Sequence, residues 1–164
     1  MIQTQRTHIV PLEQNHFDSL IEMYLEPESN KYVAPLRDKP KSFFQGFLER
    51  KLAQNEMELG FWVVLENDSS NVIGTVNLNW FFPLSIFHIG CHLKRDYWNK
   101  GFATELLSAL IHYGFEIKKV DQIHGIVEKD NSVSKKLMGN LGFEFDRAER
   151  LENMPLEIYK LYKS

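Results

Sequence analysis

The chain has 164 residues, of which 43% are hydrophobic and 25% charged, and its formal net charge at pH 7 is −3. These figures fit one globular domain with a proper core, 1–164, and leave too little chain for a second. A slightly acidic whole offers no basic field for direct nucleic-acid binding or an anionic membrane surface, and no apolar run approaches the length that spans a bilayer.

The single cysteine, Cys91, excludes an intramolecular disulfide framework and fits a reducing compartment. The segment Met1 to Arg6 contains no apolar signal region, so the expected location is cytoplasmic. There is no internal repeat and no low-complexity tract.

Arg6–Val10 contains no breaker and predicts a first strand. After Pro11, Phe17, Leu20, Ile21 and Tyr24 recur at helical spacing. Glu26 to Pro40 carries three prolines without periodicity and predicts a long loop. A second helix follows, its face marked by Phe44, Phe47, Leu48 and Leu52. Phe61–Glu66 and Val72–Trp80 are rich in strand formers, and Asn67-Asp68-Ser69-Ser70-Asn71 between them supplies turn residues, which predicts a hairpin. Leu84–Leu93 predicts another strand, ending in the polar loop Lys94–Lys100. From Gly101, the residues Ala103, Leu106, Leu107, Leu110, Ile111 and Gly114 mark a clear helix. A strand (Gln122–Val127), a short helix (Ser132–Asn140) and two strands near Phe143–Arg147 and Leu156–Tyr162 complete the order. The class is α/β with strands and helices mixed, and a mixed sheet covered by helices on both faces is the natural packing.

The most informative segment runs Tyr97-Trp98-Asn99-Lys100-Gly101-Phe102-Ala103-Thr104-Glu105, where a strand hands over to a helix. The first turn of a helix presents N–H groups without intrahelical partners, and its dipole favours negative charge. Gly101 lets the backbone approach a ligand, Ala103 keeps the next turn low, and Lys100 adds a cation, so the loop suits a phosphate group. Neither GxxxxGK[ST] nor GxGxxG occurs, which argues against a nucleotide hydrolase or a dinucleotide dehydrogenase.

Trp98-Asn99-Lys100-Gly101-Phe102-Ala103-Thr104-Glu105 resembles the acetyl-CoA loop of the GNAT superfamily of N-acetyltransferases, whose general pattern is [QR]-x-x-G-x-[GA]. Trp98 at the Gln/Arg position is similar to the W-x-K-G-x-A-T-E form of the branch that includes ribosomal-protein N-terminal acetyltransferases. Downstream, Asn131-Ser132-Val133-Ser134-Lys135-Lys136-Leu137-Met138-Gly139-Asn140-Leu141-Gly142-Phe143 resembles that branch's N-x-x-S-x-x-L-x-x-x-L-G-F segment. The resemblance covers nearly the whole chain, because the hairpin with Ile73-Gly74 also sits where the family has one. It implies a GNAT-like fold with a central, largely antiparallel twisted sheet. It also implies backbone groups from Trp98 through Thr104 (Trp98, Asn99, Lys100, Gly101, Phe102, Ala103, Thr104) around a pyrophosphate. His92 and Leu93 would pair with a pantetheine arm, Asn131 would contact that arm or organise the wedge beside it, and Ser134 would lie near the thioester sulfur.

Acetyl transfer from acetyl-CoA needs a neutral amine, a stabilised oxyanion and a proton for the departing thiolate. An α-amine, with a pKa of about 8, is roughly one-tenth neutral at pH 7, whereas a lysine at about 10.4 is under a thousandth neutral. A mild base therefore suffices for an α-amine. Two positions depart from the family. His88, in Phe87-His88-Ile89-Gly90-Cys91, stands where the branch often carries a glutamate, and imidazole can serve as a base at neutral pH. Met138 stands where many members carry an acidic tyrosine, and Ser134, one turn earlier on the same helical face, is the candidate donor to the sulfur.

His88 and His92 share a strand face, yet their separation of about 13 Å is too great for one ion, so no metal is expected. Strand alternation turns Cys91 to the opposite face, where a buried thiol is expected. Trp62, Trp80, Phe81, Phe82 and Phe87 are expected in the core, with one or two walling an acceptor pocket. Lys118-Lys119 and Lys135-Lys136 are expected to be solvated, with one of them a candidate for the 3′-phosphate of CoA. The expected reaction is direct acetyl transfer to an amine, either a peptide or protein N-terminus or a small molecule such as a polyamine, amino acid or antibiotic. A domain that binds CoA without turnover stays open, because His88 and Met138 replace the usual base and acid. A monomer or a homodimer is equally compatible, since an exposed final strand could pair with a partner.

Overall fold

The computed structural model describes residues 1–55 and 60–164. Eight strands build one sheet: β1 (Ile2–Gln3), β2 (Thr7–Pro11), β3 (Phe61–Glu66), β4 (Val72–Phe81), β5 (Ile86–Leu93), β6 (Gln122–Glu128), β7 (Glu144–Leu151) and β8 (Met154–Tyr162), in the spatial order β1-β2-β3-β4-β5-β6-β8-β7. The helices are α1 (Phe17–Leu25), α2 (Lys41–Asn55), α3 (Phe102–His112) and α4 (Ser132–Asn140). Strands β5 and β6 run parallel, and every other neighbouring pair is antiparallel.

Alternation along the strands gives the sheet two apolar faces, each buried by its own helices. On one face Val76 and Leu78 of β4 and Ile89 and Leu93 of β5 pack with Phe102, Leu106, Leu107 and Leu110 of α3 and Met138 of α4. On the other, Phe61 and Val63 of β3 pack with Leu20, Ile21 and Tyr24 of α1 and Phe44 and Leu48 of α2. The α3 residues recur at helical spacing, and Leu106 and Leu110 are fully buried, so the periodicity read from sequence is the face that packs.

Element boundaries differ from expectation where local chemistry intervenes. The first strand shifts to Thr7–Pro11, and Ile2–Gln3 adds a short edge beside it. The strand expected from Leu84 begins at Ile86, because Phe82–Leu84 with Pro83 forms a 3₁₀ turn closed by Ser85 at φ 52°. That tip reaches past the cores, so Trp80 and Phe82, expected inside, are 43% and 78% exposed. The Glu26–Pro40 loop contains one 3₁₀ turn, Ala34–Leu36. The two last strands extend to a tight hairpin whose turn residues, Glu152 (φ 45°) and Asn153 (φ 68°), both take positive φ, the geometry that matches strand twist. The final strand does not form an edge, because β8 is inserted between β6 and β7. The outer strand is β7, and its charged run Glu144, Asp146, Arg147, Glu149 and Arg150 discourages edge pairing. Among the described residues no helix is long and apolar enough to cross a membrane.

Candidate active site

The site is built where β5 ends. Trp98 leaves a 3₁₀ turn (Arg95–Tyr97) in an extended conformation, and its indole Nε1 donates to the Leu93 carbonyl at 2.8 Å, folding the loop back on the strand end. Asn99 at φ 57° and Gly101 at φ 82° are both left-handed, a conformation cheap only for glycine and tolerated by asparagine. The first hydrogen bond of α3 runs from the Glu105 N–H to the Gly101 carbonyl (3.1 Å), so the N–H groups of Phe102, Ala103 and Thr104 lie ahead of the helical ladder. Main-chain donors free at the start of a helix are suited to receive an anion. Arg6, just ahead of β2, braces the loop: its Nη1 donates to the Lys100 carbonyl (2.9 Å), and its guanidinium lies 3.9 Å from the centre of the Phe102 ring.

Next to this loop the sheet opens. The parallel strands β5 and β6 pair at His88↔His124 and Ile89↔Gly125 and nowhere further along. The bond from the Lys94 N–H to the Ile73 carbonyl fixes the phase of β5: His88, Gly90 and His92 bond toward β4, while Ile89, Cys91 and Leu93 turn their main-chain groups toward β6. Cys91 and Leu93, not His92, therefore present backbone to the opening, and the Leu93 carbonyl is already held by Trp98. His92 contributes a side chain instead. Its Nε2 shares a 2.8 Å hydrogen bond with the Ser29 hydroxyl, its ring meets Tyr24 edge-on at 5.1 Å, and burial lowers its pKa to about 4. The Cys91 thiol packs against the α3-side core, and burial pushes it up to about 12, which leaves it inert.

On the far side of the opening Asn131 caps α4. Its Oδ1 accepts from the Ser134 N–H (3.1 Å) while its Nδ2 donates to the Ser134 Oγ (2.9 Å), so the Ser134 hydroxyl proton is left for another acceptor. Met138, one turn on, is buried against Gly125, where a side chain on β6 would collide with its sulfur. Asn131 and Ser134 are thus brought together as a pair. His88 makes its bonds elsewhere: Nε2 accepts from the Asn77 amide (3.1 Å), and Nδ1 faces the Asn79 carbonyl (3.4 Å). Burial, with Lys51 nearby, lowers His88 to about 4.

Sequence reasoning did not single out several parts of this region. Arg6 and Asn77 had no motif to mark them. The loop expected between the first two helices is tied across the β6 end by Arg37, whose Nη2 binds Glu128 at 2.7 and 2.8 Å. His124 fills the junction of the two strands, with Nδ1 facing the Phe87 carbonyl (3.3 Å). Lys118, Lys119 and Lys136 are exposed, as expected, whereas Lys135 is half-buried and pairs with Glu157 (2.6 Å). Among the described residues no cluster of three or more His, Cys, Asp and Glu side chains is arranged to hold a metal.

The fold that positions this loop has counterparts among known proteins. The model of the acetyltransferase (GNAT) domain matches residues 6–144. The chain belongs to the GNAT acetyltransferase family. This GNAT acetyltransferase is 29% identical over 148 residues to the uncharacterized N-acetyltransferase p20 of Bacillus licheniformis, covering 87% of this chain and 82% of that protein. Its fold superposes on an acetyltransferase (GNAT family) from Bacillus anthracis with a TM-score of 0.84 at 19% identity, over 98% of this chain and 97% of the other. It also superposes on RimL, a ribosomal L7/L12 α-N-protein acetyltransferase in complex with coenzyme A, with a TM-score of 0.80 at 12% identity, over 97% and 95% of the two chains. Identities this low speak for a common fold, and the family match carries the activity class, transfer of an acetyl group.

Proposed function

We propose that the donor is acetyl-CoA and that the acceptor is the α-amine of a protein or peptide N-terminus. The observation that carries the donor is the left-handed pair Asn99 and Gly101 beside a β5–β6 junction of only two registered positions. Main-chain donors at Phe102, Ala103 and Thr104 receive the diphosphate with the α3 dipole behind them. The backbone of Cys91 and the N–H of Leu93 extend the sheet to the pantetheine arm, as one more strand would.

In this reading the neutral amine attacks the thioester carbonyl, the carbon–sulfur bond breaks, and the proton shed by the nitrogen is balanced on the departing sulfur, the Ser134 hydroxyl passing one proton to sulfur and regaining the one from nitrogen. Asn131 Nδ2 occupies a lone pair of Ser134, which turns the hydroxyl proton toward the departing sulfur. His88 is assigned a positioning role. With its pKa at about 4, taking a proton from an α-ammonium near 8 would cost about 5 kcal/mol. Drawing the neutral tenth of an α-amine from water costs only about 1.4 kcal/mol, against about 4.6 kcal/mol for a lysine side chain. A site without a strong base therefore favours an α-amine.

The test is a mass-spectrometric acceptor screen with thiol release as the second readout, N-terminal peptides beside polyamines, amino acids and aminoglycosides. Acetylation of peptide α-amines is expected. Thiol release with small amines alone would overturn the acceptor assignment, and a protein that does not bind CoA would overturn the donor.

A further inference from the structure

Beside His88, on the face covered by α2, the protein holds a cavity of about 190 Å³. Aromatic rings of Phe61, Trp80, Phe81 and Phe82 form much of its wall, and among the described residues Lys51 is the only charged group that lines it. The Lys51 ammonium lies 5.6 Å from the Phe47 ring centre and 5.4 Å from that of Phe61. It forms no ion pair with a described carboxylate. Burial, and then Arg50, lower its pKa. The cavity adjoins the proposed site directly: Asn79 lines it and its carbonyl faces His88 Nδ1, while Phe81, also in the wall, packs 5.3 Å from the His88 ring.

Size and chemistry restrict what fits. The volume falls below the roughly 300–1,000 Å³ of pockets that enclose a whole small-molecule ligand, so it suits one side chain of a larger acceptor. A half-buried ammonium against aromatic faces attracts an anion with an apolar stem and repels a second cation. We infer that this cavity is a specificity pocket for an acidic side chain, so that the preferred acceptors are N-termini carrying Asp or Glu within their first few residues. The inference rests on the α-amine reading above. It disfavours polyamines, whose further cations would face Lys51.

The experiment compares matched peptides with Glu, Gln or Lys at the second, third or fourth position. The Glu peptide is expected to exceed the Gln peptide in kcat/KM by about tenfold at its best position, the scale of one favourable charge contact. That preference should shrink as salt is raised. Lys51→Met, which keeps the stem against Phe47 and Phe61, should erase the Glu preference and leave the KM for acetyl-CoA and the rate on the Gln peptide unchanged. Lys51→Glu should shift preference to the Lys peptide. Equal rates on Glu and Gln peptides at every position, or a Glu preference that survives Lys51→Met, would overturn the pocket and leave the α-amine assignment standing. Acetylation of no peptide at all would remove both.

Discussion

The Glu105 carboxylate is gripped by the main-chain N–H and the guanidinium Nε of Arg6, 99 positions away, each at 2.8 Å. Thr4 adds a third bond at 2.6 Å. Burial alone would raise the Glu105 carboxyl, but these bonds from Thr4 and Arg6 hold it below its ordinary value, so it stays ionised and paired. An unpaired carboxylate in the first turn of α3 would repel the diphosphate proposed to bind there. Arg6→Met should therefore raise the KM for acetyl-CoA about tenfold with little change in kcat, the signature of lost ground-state binding. Calorimetry with CoA checks this directly, and an unchanged affinity would reduce the clamp to a purely structural tie.

Gly101 sits at φ 82°, and a β-carbon there would stand 3.4 Å from Arg6 Nη2. The space is adequate, so the cost of Gly101→Ala lies in the backbone, about 1–2 kcal/mol for a left-handed alanine. The loop can relieve that strain only by turning its N–H groups. The expected outcome is a marked loss of CoA affinity with a fall in melting temperature of only a few degrees, read by calorimetry and thermal denaturation on one preparation.

Ser134→Ala should lower kcat by about a hundredfold, the lower range for a lost proton donor, and leave the KM for acetyl-CoA near its original value. Asn131→Ala removes the same orientation and the α4 cap as well, so it should also cost about 1 kcal/mol of stability. Steady-state kinetics and urea unfolding on both variants separate the two effects. Full activity in Ser134→Ala would leave the sulfur to be protonated by another group.

His88 and His92 each fall from 6.5 to about 4 through burial. Their folded values lie below their unfolded ones, so between about pH 4 and 6.5 the unfolded chain binds more protons than the native protein. Stability should therefore rise with pH across that window and decline as pH drops through it. Each histidine contributes at most about 3 kcal/mol. Melting temperatures measured from pH 4 to 7 check the slope, and His92→Phe should flatten it. In the same reading kcat/KM follows the ionisation of the acceptor amine, with no inflection from His88 at neutral pH.

The helices and most strands were legible because apolar periodicity coincides with burial: Leu106 and Leu110 of α3 were marked by spacing and are fully enclosed. The loop proposed as the cradle could be marked in advance because Gly101 and Asn99, both left-handed in the structure, belong to one continuous run. The Arg6–Glu105 clamp and the Arg37–Glu128 tie were not, since each joins residues more than ninety positions apart. Pairings of that kind have no spacing to betray them. His88 was visible as a residue type, but its lowered basicity arises from burial and from the Asn77 amide, which only the folded sheet brings to it. The phase of β5, which decides between Cys91 and His92 at the opening, depended on one bond from Lys94 to Ile73.

That β5 and β6 share just two registered positions means the sheet is really two ribbons, β1 through β5 and β6 through β8, fastened at a single narrow seam. Under the proposed function a linear donor lodged in the gap would supply the rungs that the polypeptide omits and so join the scaffold for as long as it stays. Amide exchange along Cys91 and Leu93 should accordingly slow when the gap is filled, and departure of the spent thiol product should loosen the protein as well as empty it.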